Sequence, residues 1–105
     1  MFIAVYWWRI EPGKEEQFRA AWRRATELIA ARYGSCGSRL HRDRDGRFVG
    51  YAQWPDHDTW RRAFDARMEA SDPEVRRLFS ESVAEAPPDG APVFELEVTD
   101  DLLLR

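Results

Sequence analysis

Two segments of the chain are apolar at both odd and even positions. Residues 2–10 are rich in β-branched and aromatic side chains, and residues 47–54 repeat the pattern after the initial Arg47, with Gln53 as a polar exception. Successive side chains of a strand point to opposite faces, so a strand that is apolar throughout is typical of one covered on both sides. The pattern therefore predicts two central strands.

Two other segments have the character of edge strands. Residues 38–42 contain Leu40 as their only large aliphatic side chain, and residues 93–99 alternate strictly between apolar and polar types. Such alternation is typical of a strand that is solvated on one face. An Asp-Gly pair at 45–46 separates the first edge strand from the central strand that follows, and this pair predicts a hairpin turn.

Apolar residues recur every three or four positions between these strands, which predicts helices. The first helix begins near Lys14 and ends at Gly34, a natural C-terminal cap. The second begins after the capping residue Asp56 and carries a stripe of Trp60, Phe64 and Met68.

A third helical piece follows a capping box that runs from Ser71 to Glu74 and includes a proline in the first turn. Its apolar side chains are Val75, Leu78, Phe79 and Val83. The segment 87–90, Pro-Pro-Asp-Gly, then predicts a loop.

The resulting order of elements, β-α-β-β-α-β, predicts an α+β fold of the ferredoxin-like type with a four-stranded antiparallel sheet. In that fold the helices cover one face of the sheet only. The other face would expose an apolar patch larger than a soluble monomer normally tolerates. We therefore expect a homodimer that buries this face against a second copy.

Composition and charge narrow the class of protein. The chain has 105 residues, of which 44% are hydrophobic, and a net charge of −3. These values predict a single domain over residues 1–105 and argue against nucleic acid as a partner. No apolar run is long enough to span a membrane and no signal peptide is evident, so a cytoplasmic location without a membrane partner is expected.

Several short motifs resemble the antibiotic biosynthesis monooxygenase-like family of the dimeric α+β barrel superfamily. They are Glu-Pro-Gly-Lys-Glu-Glu at 11–16, Gly-Ser-Arg-Leu-His-Arg at 37–42 and Tyr-Ala-Gln-Trp-Pro at 51–55. The resemblance implies a barrel formed across a dimer, with a small-molecule pocket between the sheet and helices of each subunit. It also implies oxidation of an aromatic or quinol-type substrate by O2 without a cofactor, or the haem degradation found in other members.

The resemblance has one clear departure. Characterised monooxygenase and haem-degrading members tend to use an Asn together with a Trp and a His, and this sequence contains no Asn. Another side chain would have to replace the donor and acceptor of the missing amide. A non-catalytic ligand-binding or structural barrel protein is therefore the alternative to a monooxygenase, and haem binding is disfavoured further.

His41 is the candidate catalytic residue, because a neutral imidazole can remove a proton from a phenol-like substrate before reaction with O2. A histidine that fixes the edge strand or a dimer contact is the structural alternative. His41 and His57 have no Cys or His at metal-ligand spacing, so neither a metal site nor another cofactor is predicted.

Candidate substrate-binding residues come from aromatic and polar side chains near His41. Indole rings offer flat walls and N–H donors for an aromatic ligand, although packing in the core or the interface is the common role of Trp. Gln53 should find a polar partner on its apolar strand, and Arg39 could hold an anionic group or pair with a surface acid. The full set is Trp54, Tyr51, Gln53, Trp7, Trp60 and Arg39.

Overall fold

A computed structural model describes residues 1–69 and 72–104 of the chain. Within these residues it contains a sheet of five strands and three α-helices. The strands are β1 (Phe2–Ile10), β2 (Ser38–Arg42), β3 (Phe48–Trp54), β4 (Val83–Glu85) and β5 (Phe94–Glu97). The helices are α1 (Glu15–Tyr33), α2 (His57–Asp65) and α3 (Pro73–Ser82), and a short 3-10 turn spans Pro88–Gly90.

The sheet is antiparallel and has β1 and β3 at its centre. Strand β3 pairs with β1 on one side and β2 on the other, and both β4 and β5 pair with the outer edge of β1. The α+β, ferredoxin-like fold is therefore confirmed, as are the central positions of the two strands that are apolar on both faces. The predicted sheet of four strands is wrong by one, because β4 was not anticipated.

Strand β4 arises where the sequence predicts the end of the third helix. Helix α3 stops at Ser82, and Val83 takes an extended conformation and pairs with Ile10. The Ser82 hydroxyl donates to the carbonyl of Leu78 at 2.8 Å, while the amide of Glu11 donates to the Ser82 carbonyl, also at 2.8 Å. These bonds tie the end of the helix to the end of β1, so Val83 joins the sheet instead of the helical stripe.

The helices begin or end at capping residues that are evident in the sequence. Gly34 ends α1 in the left-handed conformation at φ 80°, which glycine adopts without steric cost. Asp56 caps α2 by accepting a hydrogen bond from the amide of Thr59 at 2.7 Å. Asp72 caps α3 in the same way, accepting from Val75 at 3.1 Å. The predicted capping box begins at Ser71, which lies outside the described residues.

The hydrophobic core lies between the sheet and the helices. Alternate residues of β1 and β3 face the helices, where Phe18 of α1 and Trp60 of α2 are buried. Aromatic rings provide much of the contact: Phe18 lies 5.4 Å from Trp8 and 5.3 Å from Phe48, measured between ring centroids. Helix α3 joins this cluster through Phe79, 5.6 Å from Trp8.

The opposite face of the sheet carries half-buried or exposed apolar side chains. Ile3 is buried there, but Phe94 and Leu96 of β5 remain 60% and 45% exposed. The rest of this open face consists of Val5, Trp7, Val49, Tyr51 and Gln53, together with Arg39 and His41 of β2. All helix contacts described above are made on the other side.

Gly50 is needed for the packing of Trp8. A Cβ atom at position 50 would lie 2.8 Å from Cη2 and 2.9 Å from Cζ3 of the Trp8 ring. These distances are shorter than van der Waals contact, and the ring is held by Phe18 and Phe79 on its other sides. Any side chain at position 50 must therefore displace the indole.

We expect Gly50→Ala to reduce the free energy of unfolding by about 1–3 kcal/mol, the usual cost of overpacking a core. Urea unfolding followed by circular dichroism measures this change. Trp8→Leu gives the indole's space to a smaller side chain, so the same alanine should cost much less in that background. Equal costs of the alanine in both backgrounds would contradict the proposed steric conflict.

Candidate functional site

A cavity of about 360 Å³ lies between the helix-facing side of the sheet and helices α1 and α3. Its size falls within the range of small-molecule sites. Strands β1 and β3 contribute Tyr6, Trp8, Ala52 and Trp54 to its walls, α1 contributes Trp22, Ala25, Leu28 and Ile29, and α3 contributes Val75 and Phe79. The lining is mostly apolar and aromatic, so the cavity suits a flat, apolar ligand.

Two aromatic rings of β1 form one wall. Tyr6 and Trp8 point to the same face of the strand, and their rings are nearly parallel, with centroids 6.0 Å apart and an interplanar angle of 13°. Ala52 of β3 also lines the cavity. Its small side chain leaves room beside the Trp rings, which a larger residue would fill.

Trp54 lines this cavity and has a buried indole N–H that lacks a partner in the described part of the chain. Trp54 is 1% exposed, and its Nε1 atom has no hydrogen-bond partner among the residues that the structure describes. A buried donor without a partner costs about 1–3 kcal/mol. Because Trp54 also lines the cavity, a ligand acceptor that reaches this N–H after a small shift of the surrounding side chains would recover the cost.

Tyr6 supplies a second polar group at the wall. Its hydroxyl oxygen accepts a hydrogen bond of 2.9 Å from Nε1 of Trp60. Burial raises the pKa of the Tyr6 phenol above its ordinary value; the Trp60 hydrogen bond opposes this shift and the Glu95 carboxylate adds to it. Tyr6 is therefore a neutral phenol over the physiological pH range.

Tyr6 is not among the site residues predicted from the sequence, where it counts as one of the apolar positions of β1. The available signal was a phenol within an otherwise apolar central strand, since a buried tyrosine hydroxyl usually requires a partner. That partner is Trp60, which is 54 positions away along the chain.

The three predicted Trp residues have different positions. Trp54 lines the cavity. Trp60 lies behind Tyr6, where its ring stacks on Phe64 with centroids 5.1 Å apart. Trp7 is at the cavity wall, but the register places its side chain on the open face beside Val49, and the Arg47 guanidinium lies 5.0 Å from its ring.

The remaining predicted site residues lie on the open face of the sheet. His41 is exposed, with Nδ1 3.2 Å from the carbonyl oxygen of Val49 and its ring 6.4 Å from that of Tyr51. Gln53 and Arg39 share this face with Tyr51. The structure therefore does not bring His41, Tyr51 and Trp54 together in one pocket, because alternate side chains of a strand point to opposite faces.

Metal ligation and membrane insertion find no support in the described parts of the chain. Residues 1–69 and 72–104 contain no group of three His, Cys, Asp or Glu side chains arranged to hold a metal ion. Over the same ranges, every helix is too short or too polar to cross a bilayer.

Comparison with protein families identifies the class to which this fold and cavity belong. The family model described as antibiotic biosynthesis monooxygenase matches residues 1–77. The match covers most of the chain, so the chain belongs to the antibiotic biosynthesis monooxygenase family. The family resemblance noted in the sequence is thereby confirmed.

Solved structures with the same fold include three bacterial proteins. One, from Bordetella bronchiseptica, is provisionally assigned as an antibiotic biosynthesis monooxygenase; it is 23% identical with a TM-score of 0.66, covering 93% of this chain and 96% of the other. SnoaB from Streptomyces nogalater, a cofactor-independent oxygenase, is 20% identical with a TM-score of 0.66, covering 96% and 95%. Rv0793 from Mycobacterium tuberculosis is 13% identical with a TM-score of 0.64, covering 97% and 98%.

The TM-scores and coverages show a shared fold over nearly the whole chain, and identities below 25% show nothing beyond the fold. No curated protein matches the sequence itself.

The raised pKa of Tyr6 leads to a prediction for alkaline pH. In spectrophotometric titration at high pH, we expect a phenol that ionises above the ordinary value near 10. Tyr6→Phe should remove this step, and Tyr51→Phe should leave it.

The stability consequence follows from linkage. The folded state holds the Tyr6 proton more tightly than the unfolded state, so the corresponding stabilisation is complete below pH 10 and is lost as pH rises through the folded pKa. Between these values, wild-type stability should therefore fall more steeply with pH than that of Tyr6→Phe. Parallel pH profiles for the two proteins would contradict the assignment.

Proposed function

We propose that this protein binds a small, largely apolar aromatic molecule in the cavity between sheet and helices and oxidises it with O2 without a cofactor. The observation that carries the proposal is the unpaired N–H of Trp54 at an aromatic-lined cavity of about 360 Å³. Flat walls suit an aromatic ring, and the buried donor suits an oxygen atom on that ring.

The same donor suits the charge that develops in such a reaction. Removal of a proton from a phenol-like substrate places negative charge on its oxygen, and an indole N–H in a water-poor site stabilises that charge. The resulting electron-rich anion can reduce O2. With anthrone as substrate, the ring CH2 becomes a carbonyl, one oxygen atom enters the product and the other leaves as water. Membership of the monooxygenase family supports this assignment.

The origin of the base is a separate part of the proposal. His41 is the candidate base for a ligand on the open face, with Tyr51, Gln53 and Arg39 as accompanying ligand contacts, because these side chains lie across the sheet from Trp54. For a ligand in the cavity, solvent water accepts the proton. Catalysis by His41 would therefore require a ligand on the open face. Trp54 instead requires a ligand among the helices, so the two assignments can be separated by mutation.

We expect the protein to consume O2 when incubated aerobically with anthrone in the presence of a metal chelator and without flavin. Ala25→Phe should reduce the rate by about tenfold or more, because the new ring occupies ligand space at the cavity wall. Ala20→Phe is the matched control, since Ala20 lies on the exposed side of the same helix. An oxygen electrode measures all three rates.

The outcomes distinguish the candidate functions. Equal rates for Ala25→Phe and Ala20→Phe would contradict oxidation in the cavity, and loss of activity in His41→Ala would then move the reaction to the open face. Binding of anthrone without O2 uptake would support the non-catalytic alternative. One feature of the structure favours that alternative. The Trp8 ring fills the space that a side chain at position 50 would occupy, so Gly50 offers a ligand no functional group.

The second part of the proposal concerns the open face, which we assign to a homodimer contact. Phe94 and Leu96 are 60% and 45% exposed beside the half-buried Val5, Val49 and Tyr51. Contiguous apolar surface of this kind marks an interaction site. A second copy presents the same surface, so a twofold contact is self-complementary and would give the dimeric α+β barrel.

We expect sedimentation equilibrium to show a dimer at micromolar concentration. Val49→Glu places an unpaired carboxylate within the proposed contact and should weaken association by about tenfold or more. Ala20→Glu introduces the same charge on the exposed side of α1 and should leave association unchanged. A folded wild-type monomer at this concentration would refute the dimer.

A further inference from the structure

The hydroxyl group of Tyr6 has a proton that no described residue accepts. Its oxygen already accepts the 2.9 Å hydrogen bond from Trp60, and the described hydrogen bonds include none that Tyr6 donates. A tyrosine hydroxyl carries one donor as well as its acceptor sites. Tyr6 lines the cavity, so the ring that carries this donor borders the ligand space.

The position of the phenol is fixed by its neighbours. The Trp60 ring lies 5.1 Å from both Phe2 and Phe64, and Trp60 is 1% exposed. On the other side, the Tyr6 ring stacks against Trp8. A donor held by packed rings loses little conformational freedom when a ligand binds, which makes it effective in selecting among ligands. The raised pKa keeps the phenol protonated and therefore able to donate.

We infer that Tyr6 is a specificity-determining residue that donates a hydrogen bond to a ligand oxygen, so that the cavity prefers aromatic ketones and quinones to hydrocarbons of the same shape. This inference rests on the proposed use of the cavity as the ligand site. It is independent of whether the ligand is oxidised. Trp60 acts as a positioning residue, because its own N–H is already used by Tyr6.

Two probes of equal shape test the inference. 2-Acetylnaphthalene carries a carbonyl acceptor where 2-ethylnaphthalene carries a methylene group, so the ratio of their affinities reports hydrogen bonding and not ring packing. Isothermal titration calorimetry gives the ratio for each protein. We expect Tyr6→Phe to lower it by about tenfold, the value of one buried hydrogen bond. Tyr51→Phe, on the open face, should leave it unchanged.

A double variant separates the loss of the ligand hydrogen bond from damage to the fold. Tyr6→Phe leaves the Trp60 N–H without an acceptor, whereas the double variant Tyr6→Phe/Trp60→Phe removes both partners and avoids that penalty. The ratio should be low in both variants. An unchanged ratio in either variant, with both probes still binding, overturns this inference alone. Failure of both probes to bind the wild-type protein overturns the proposed ligand site together with it.

Discussion

The structure depends on one constraint: its two central strands are apolar on both faces, while the described helices all pack on the same face. The helix side becomes a core built from aromatic rings, with Phe18 between Trp8 and Phe48. The other side retains exposed Phe94 and Leu96. One face therefore has a cavity of the size that a ligand needs, and the other has the apolar surface that a second copy can cover.

Small residues on β3 determine where the cavity lies. Gly50 admits the Trp8 ring against the backbone, and Ala52 lies at the cavity wall next along the same face. Large rings stand on both strands while β3 contributes small side chains between them, and both Trp8 and Trp54 line the space that results. The sizes of alternate residues thus shape the sheet side of the cavity, and the loop between β4 and β5 adds to its wall through Ala86, Pro87, Gly90 and Ala91.

The strands and their two apolar faces are predictable from the sequence, but several contacts at the candidate site are not. Trp54 and Tyr51 are three positions apart in one strand, so the alternation of side chains places them on opposite faces. Both faces are apolar, however, so the pattern could not tell which one meets the helices, and it could not separate His41 from the cavity. The hydrogen bond from Trp60 to Tyr6 joins residues far apart in sequence, and β4 forms through pairing with the distant end of β1. Neither contact can be predicted from a pattern of neighbouring residues.

The central claim is that ligands occupy the helix side of the sheet. The most direct measurement is a two-dimensional ¹H–¹⁵N spectrum of the five indole groups, together with the His41 ring signals, during titration with 2-acetylnaphthalene. The account predicts a downfield shift of the Trp54 indole proton as it gains an acceptor, with His41 unaffected. Shifts at His41 with no change at Trp54 would place the ligand on the open face and contradict the account.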